Sequence, residues 1–205
     1  MGKRLTENFW RKLHSLSGII PVGVFLVFHL TINSAAIQGE QVYNDTIAMM
    51  DGMPFKLFME IFIIAIPLLF HGLYGIHLAL QSKNNVGRYK YVRNWNFYFQ
   101  RLTGVIAFVF VIWHVWGTRI QVALGNADVN FQLMADVVAN PIVLILYIIG
   151  TVSSVFHLAN GLFTFFITWG VTVTPKSQKY VQYIAMAFFV IVSVVATATL
   201  IGFTQ

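Results

Sequence analysis

Five apolar stretches, at about 14–36, 57–80, 99–120, 142–169 and 180–203, are each long enough to cross the roughly 30 Å of a bilayer's hydrocarbon core. In hydrocarbon every backbone N–H and C=O must find an internal partner, so runs of this length fold as α-helices. The breaks between them carry turn residues: Gln38-Gly39-Glu40, Ser82-Lys83-Asn84-Asn85, Gly125-Asn126, Asn140-Pro141 and Thr174-Pro175. A charged fraction of 10% and a mean hydropathy of +0.72 exclude an ordinary soluble domain. The expected fold is an all-α integral membrane protein, a single membrane domain over 1–205 with five transmembrane helices.

Charge sets the expected orientation. Of 13 Lys and Arg residues, Lys3, Arg4, Arg11 and Lys12 precede the first span. Lys83, Arg88, Lys90, Arg93 and Arg101 surround the loop between spans two and three, and Lys176 and Lys179 lie in the loop between spans four and five. Only Lys56 and Arg119 fall on the other side. The positive-inside rule then puts the N-terminus in the cytoplasm and the C-terminus outside. The basic start leads into a span too long for a signal peptide and shows no small-residue cleavage site, so it is expected to stay on the protein. A net charge of +6 distributed this way is a topology signal and does not point to nucleic acid.

The chain has no cysteine, which excludes thiolate metal sites and cysteine-held iron–sulfur clusters and leaves six histidines as the main candidates for metal chemistry. Each of the first four spans carries one histidine well inside it: His29 in VFLVFHLTI, His71 in PLLFHGLYG, His114 in FVIWHVWG and His157 in SSVFHLANG. An imidazole in hydrocarbon is costly unless it is partnered. Each lies past the middle of its helix in the chain direction, and the helices alternate. His29 and His114 therefore fall toward the outer face and His71 and His157 toward the inner, the two levels separated by roughly 10 Å at 1.5 Å per residue.

Two imidazoles at each of two levels suit two stacked haems, each iron held from both sides, with spans one to four bundled around them. Gly23, Gly72, Gly75, Gly117, Ala159 and Gly161 lie near these levels and would let a flat ring approach. The competing reading from another class is a proton-coupled transporter without haem. Such a protein more usually carries intramembrane carboxylates, and the acidic residue near a span is Glu60. His14 and His77 lie near the cytoplasmic ends of spans one and two; His77 reads as packing, whereas His14, in RKLHSLSG, is placed to meet a quinone head group or haem propionates.

RKLHSLSGIIPVGVFLVFHL, MPFKLFMEIFIIAIPLLFHGLYGIH, RNWNFYFQRLTGVIAFVFVIWHVWGTRI and FHLANGLFTFFITWGVTVTPKSQ together closely resemble the Bacillus-type cytochrome b subunits of succinate dehydrogenase, within the wider succinate:menaquinone oxidoreductase and fumarate reductase family. The resemblance spans essentially the whole chain. It implies a multi-pass, two-haem anchor in a bacterial cytoplasmic membrane, holding a flavoprotein with covalent FAD and an iron–sulfur protein on the cytoplasmic side. The anchor would pass electrons through two haems b to menaquinone, while the chain alone would not oxidise succinate. The family's axial ligands fall on His71 with His157 for the haem near the iron–sulfur protein, and on His29 with His114 for the distal haem. The alternatives within the class are the cytochrome b of a fumarate reductase or of another membrane dehydrogenase.

Two quinone sites are left open. An outer site would use Glu60, which lies eleven residues before His71, about 20° from the same helical face and roughly 16 Å outward. The structural alternative for Glu60 is a pair with Lys56 one turn earlier. An inner site would use His14, Ser17 and Arg101, and Arg101 is equally placed to bind a haem propionate.

Overall fold

In the computed structural model, which describes residues 2–205 and side chains from Leu5 onward, helices account for all the regular structure among the described residues. Of the basic residues expected before the first span, the side chains of Lys3 and Arg4 lie outside the described set. Five helices are long and apolar enough to cross a membrane: α1 (Leu5–Gln38), α3 (Lys56–Gln81), α4 (Val92–Ala123), α6 (Pro141–Thr168) and α7 (Pro175–Gly202). Between them lie two short helices, α2 (Glu40–Asp51) and α5 (Phe131–Val138), where the sequence reading had loops. Each expected apolar stretch falls within one long helix to within a residue.

The helix ends follow from local chemistry. Asn140 and Thr174 accept hydrogen bonds from the first-turn amides of Ile142 (2.9 Å) and Ser177 (3.1 Å), with proline at the next position, where its missing N–H costs nothing. Asn130 caps α5 in the same way through Leu133 N. Inside the spans proline acts differently, because it removes a donor and crowds the carbonyl four residues back. Pro21 follows a break at Ile20 in α1, and Pro67 follows a stretch of widened π-helical turns over Met59–Ala65 in α3. A second π-helical stretch, Trp116–Ile120, lies near the C-terminal end of α4.

α6 is the centre of the bundle, packing along α4 on one side and α7 on the other, while the first half of α1 lies against α3 and α6. The end of the bundle where α1 meets α2 is closed by a cluster of Ala35, Ala36, Tyr43, Phe131, Met134, Val138, Tyr147, Leu200 and Phe203. The α2 and α5 helices thus act as a lid, with Tyr43 edge-on to both Phe131 and Phe203. Large apolar side chains such as Val24, Phe62, Leu73, Val109, Ile145 and Ile191 point away from the bundle, as lipid contact requires.

Candidate functional site

The four expected histidines meet as two pairs. His71 on α3 faces His157 on α6 with ring centroids 6.0 Å apart and planes crossed at 78°. His29 on α1 faces His114 on α4 at 5.8 Å and 71°. Imidazole binds a transition metal at about 2.0–2.1 Å, and the ring centre lies about 1 Å behind the nitrogen, so two imidazoles on opposite sides of one ion have centroids about 6 Å apart. Both pairs have that spacing.

His71 and His157 each turn Nδ1 toward a backbone carbonyl. His71 Nδ1 lies 3.0 Å from the backbone carbonyl of His14, and His157 Nδ1 lies 2.9 Å from that of Gln100. A carbonyl only accepts, so each Nδ1 carries the proton and each Nε2 keeps its lone pair for a metal. The Gln100 amide donates through Nε2 to the His157 carbonyl (3.0 Å), lies 3.2 Å from His157 Nδ1 through the same nitrogen, and accepts from Asn160 Nδ2 (2.6 Å).

A cavity of about 560 Å³ opens between these helices, lined among others by His14, His71, Gln100, Arg101 and His157, with Arg11 and Arg93 also on its wall. Four buried polar atoms on its lining residues have no hydrogen-bond partner among the described residues: His14 Nε2, Asn96 Nδ2, Arg101 Nε and Asn160 Oδ1. Buried polar groups are nearly always satisfied, and Asn96 Nδ2 and Arg101 Nε are donors, so this apolar-walled cavity fits an amphiphilic ligand with acceptor groups at this end. A haem, which carries two carboxylates, fits those donors.

Around the outer pair, Asn33 donates to the carbonyl of His29 (2.8 Å) and accepts from the Tyr43 hydroxyl (3.2 Å). Phe110 and Tyr147 flank His114, at 5.9 and 5.8 Å between ring centres. His114 Nδ1 is buried without a partner.

Contacts between helices fix the separation of the levels. His71 sits beside Gly18 on α1, eleven residues before His29, and His157 beside Gly104 on α4, ten residues before His114. At 1.5 Å per residue the levels are roughly 15–17 Å apart along the helices. The sequence estimate of roughly 10 Å was short because it centred each helix on its apolar run.

The glycine expectations also change. Gly18 and Gly104 lie against His71 and His157, whereas Gly72 packs on Phe108, Gly23 on Leu158, and nothing among the described residues lies within 4 Å of a Cβ on Gly117. Glu60 pairs with Arg119 at the outer end of α4, whose Nε (3.0 Å) and Nη2 (2.6 Å) both reach Oε2. Its expected partner Lys56 instead pairs with Asp51. Glu60 and Arg119 both sit in the π-helical stretches, whose wider turns shift side chains off an α-helical register. Of the inner candidates, the Ser17 hydroxyl donates to the His14 carbonyl (3.0 Å), and Arg101 donates to the carbonyl of Phe97 while lying over its ring. His77 meets Gln81 (3.0 Å) and the Tyr74 ring, both on its own helix.

The comparisons with known proteins follow the same line. The sequence profile described as succinate dehydrogenase/fumarate reductase transmembrane subunit matches residues 79–197. The succinate dehydrogenase cytochrome b558 subunit of Bacillus subtilis (strain 168) is 47% identical over 197 residues, covering 96% of this chain and 97% of that protein. No solved structure matches the chain. With a relative this similar along almost its entire length and five membrane-crossing helices, the chain belongs to the succinate dehydrogenase/fumarate reductase transmembrane subunit family, as a multi-pass protein of a bacterial cytoplasmic membrane.

Proposed function

We propose that this chain is the dihaem cytochrome b anchor of a succinate dehydrogenase, carrying electrons from a cytoplasmic iron–sulfur subunit to menaquinone. The observation that carries the reading is the pairing of four intramembrane imidazoles at bis-ligand spacing on two levels. His71 and His157 would hold the inner haem b and His29 and His114 the outer. Held between two imidazoles, each haem would supply one-electron transfer. The carbonyls of His14 and Gln100 orient the inner ligands, and Arg101 and Asn96 offer unpartnered donors to carboxylates at the cytoplasmic end.

The flavoprotein and iron–sulfur subunits dock on the cytoplasmic side, where the basic loop from Lys83 to Arg93 supplies complementary charge. FAD and iron–sulfur clusters belong to those partners. The chain offers no catalytic group for succinate, and its role in the enzyme is as membrane subunit.

For the quinone we favour the outer side. His14 and Ser17 are engaged at the His71 ring, and Arg101 lines the inner cavity, which leaves no independent inner set. Glu60 is held through Oε2 by Arg119, and its Oε1 remains to exchange a proton. Reducing menaquinone to menaquinol takes two electrons and two protons, and an outer site would draw the electrons across the membrane. That movement is coupled to the transmembrane potential at about 2.3 kcal/mol per charge per 100 mV.

The test is purification of the tagged chain with its partners, followed by succinate addition. Bleaching and reduction bands of b-type haem together with menaquinone-analogue turnover are expected. Glu60→Gln should slow turnover and change its pH dependence while succinate still reduces the haems. Partners absent from the purified complex would overturn the anchor role, and an unchanged Glu60→Gln profile would remove the outer carboxylate.

A further inference from the structure

We propose that the inner ligands are oriented by two matching sockets, one on α1 and one on α4, and that His14 is a positioning residue for His71. This rests on the reading of His71 and His157 as axial ligands. In each socket one residue gives its backbone carbonyl to the ligand's Nδ1–H, and the residue four positions on is glycine. On α1 these are His14 and Gly18, around His71; on α4 they are Gln100 and Gly104, around His157. Residues four apart stack on one helical face, so carbonyl and glycine act on the same ring.

The glycines are the floor of each socket. A Cβ on Gly104 would stand 2.7 Å from His157 Cε1, and one on Gly18 would overlap the His71 ring outright. The atoms met belong to rings already tied to a carbonyl, so they have little room to give. A histidine's χ2 is otherwise broad, and the carbonyl bond together with the bare backbone fixes both its rotation and its tilt.

The α1 socket has a lid as well. The His14 ring lies over His71 at 4.2 Å with planes 3° from parallel, and Ser17 donates to the same His14 carbonyl that receives Nδ1–H. Together the sockets hold the inner planes crossed at 78°. The outer pair is built without them: His114 Nδ1 has no partner, and His29 Nδ1 meets only the Asn33 amide, at 3.5 Å.

The experiment uses the assembled complex carrying Gly18→Ala, Gly104→Ala, His14→Leu or His14→Phe, with Gly117→Ala as control because nothing lies within 4 Å of its Cβ. Haem per chain, the potential of each haem in a redox titration, and the low-temperature electron paramagnetic resonance of the ferric state are recorded. Gly18→Ala and Gly104→Ala, on different helices, are expected to disturb the same one of two haem components, by loss of up to all of that haem or by shifted potential and g values. The other component and the control should match wild type.

His14→Leu should shift that same component without removing it, and His14→Phe, which restores a stacked ring, should return it toward wild type. The proposal is overturned if both alanine variants leave both components unchanged, or if they disturb different ones. His14→Leu that alters only the quinone KM overturns the positioning role of His14. Should the alanine variants not accumulate in membranes, His14→Leu, which adds no atom against a ligand, decides the matter. A wild-type protein without haem would instead overturn the ligand reading itself.

Discussion

Replacing Gln100 with leucine removes a side-chain amide from the inner site while leaving the backbone carbonyl that receives His157 Nδ1–H. Two good hydrogen bonds go: Nε2 to the His157 carbonyl at 3.0 Å and Asn160 Nδ2 to Oε1 at 2.6 Å. Each neutral hydrogen bond is worth about 0.5–1.5 kcal/mol, and a buried donor left with a poor partner costs about 1–3 kcal/mol more. Asn160 is that donor, being 1% exposed and keeping only a 3.3 Å bond to the Asn96 carbonyl. Leucine is close in volume, so no large cavity is added.

The expected total is on the order of 2–6 kcal/mol, which for a chain of this size lowers the melting temperature by roughly 4–24 °C. The assay is thermal unfolding of the detergent-solubilised complex, followed by haem absorbance and by helical circular dichroism. The diagnostic is a cycle with Asn160→Leu. Once both amides are apolar no orphan remains between them, so the double variant should be more stable than the summed single effects by about 1–2 kcal/mol. A melting temperature within a degree of wild type for Gln100→Leu, or strict additivity in the cycle, would refute the reasoning.

Three further outcomes follow from particular contacts. Imidazole planes crossed at 78° and 71° should give ferric low-spin resonances of the strongly anisotropic kind, and rhombic spectra typical of parallel planes would show that the rings turn. Burial pushes the Tyr43 phenol up to about 12 from its usual 10, so between those values the unfolded chain loses its proton first; stability should fall as pH rises through that window, and Tyr43→Phe should flatten the fall in an alkaline denaturation series. Gly202→Ala would set a Cβ 2.8 Å from the carbonyl oxygen of Ala36, a backbone atom that cannot swing aside; overpacking there should cost about 1–3 kcal/mol, read as a lower melting temperature with haem spectra unchanged.

How much of this was legible in the sequence depends on the length scale. The five helices could be read because hydrocarbon leaves a long apolar run one backbone solution, and the four histidines stand out because an unpaired imidazole there is expensive; the structure brings them together in two pairs. The short helices α2 and α5 were missed: they are held by the packing of Tyr43, Phe131 and Phe203 across loops distant in sequence, which no local pattern records.

Glu60 was sought a partner one turn away at Lys56, but π-helical turns and the approach of α4 bring Arg119, 59 residues on, to it instead. Gly18 and Gly104 went unremarked for a similar reason. What makes them matter is a ring from another helix, and the one available signal was that each lies four residues beyond the carbonyl that orients it, a spacing visible only once the helices are docked. Arg101 and Asn96 show the same limit, since a buried donor without a partner is a property of the assembled bundle.

The central claim is that these four histidines hold two haems. It is tested most directly by purifying the complex from haem-replete cells, quantifying haem per chain, and titrating the optical spectrum against potential. Two low-spin b-type haems per chain with separable potentials are the expected result. A folded, membrane-inserted protein containing no haem would contradict the account.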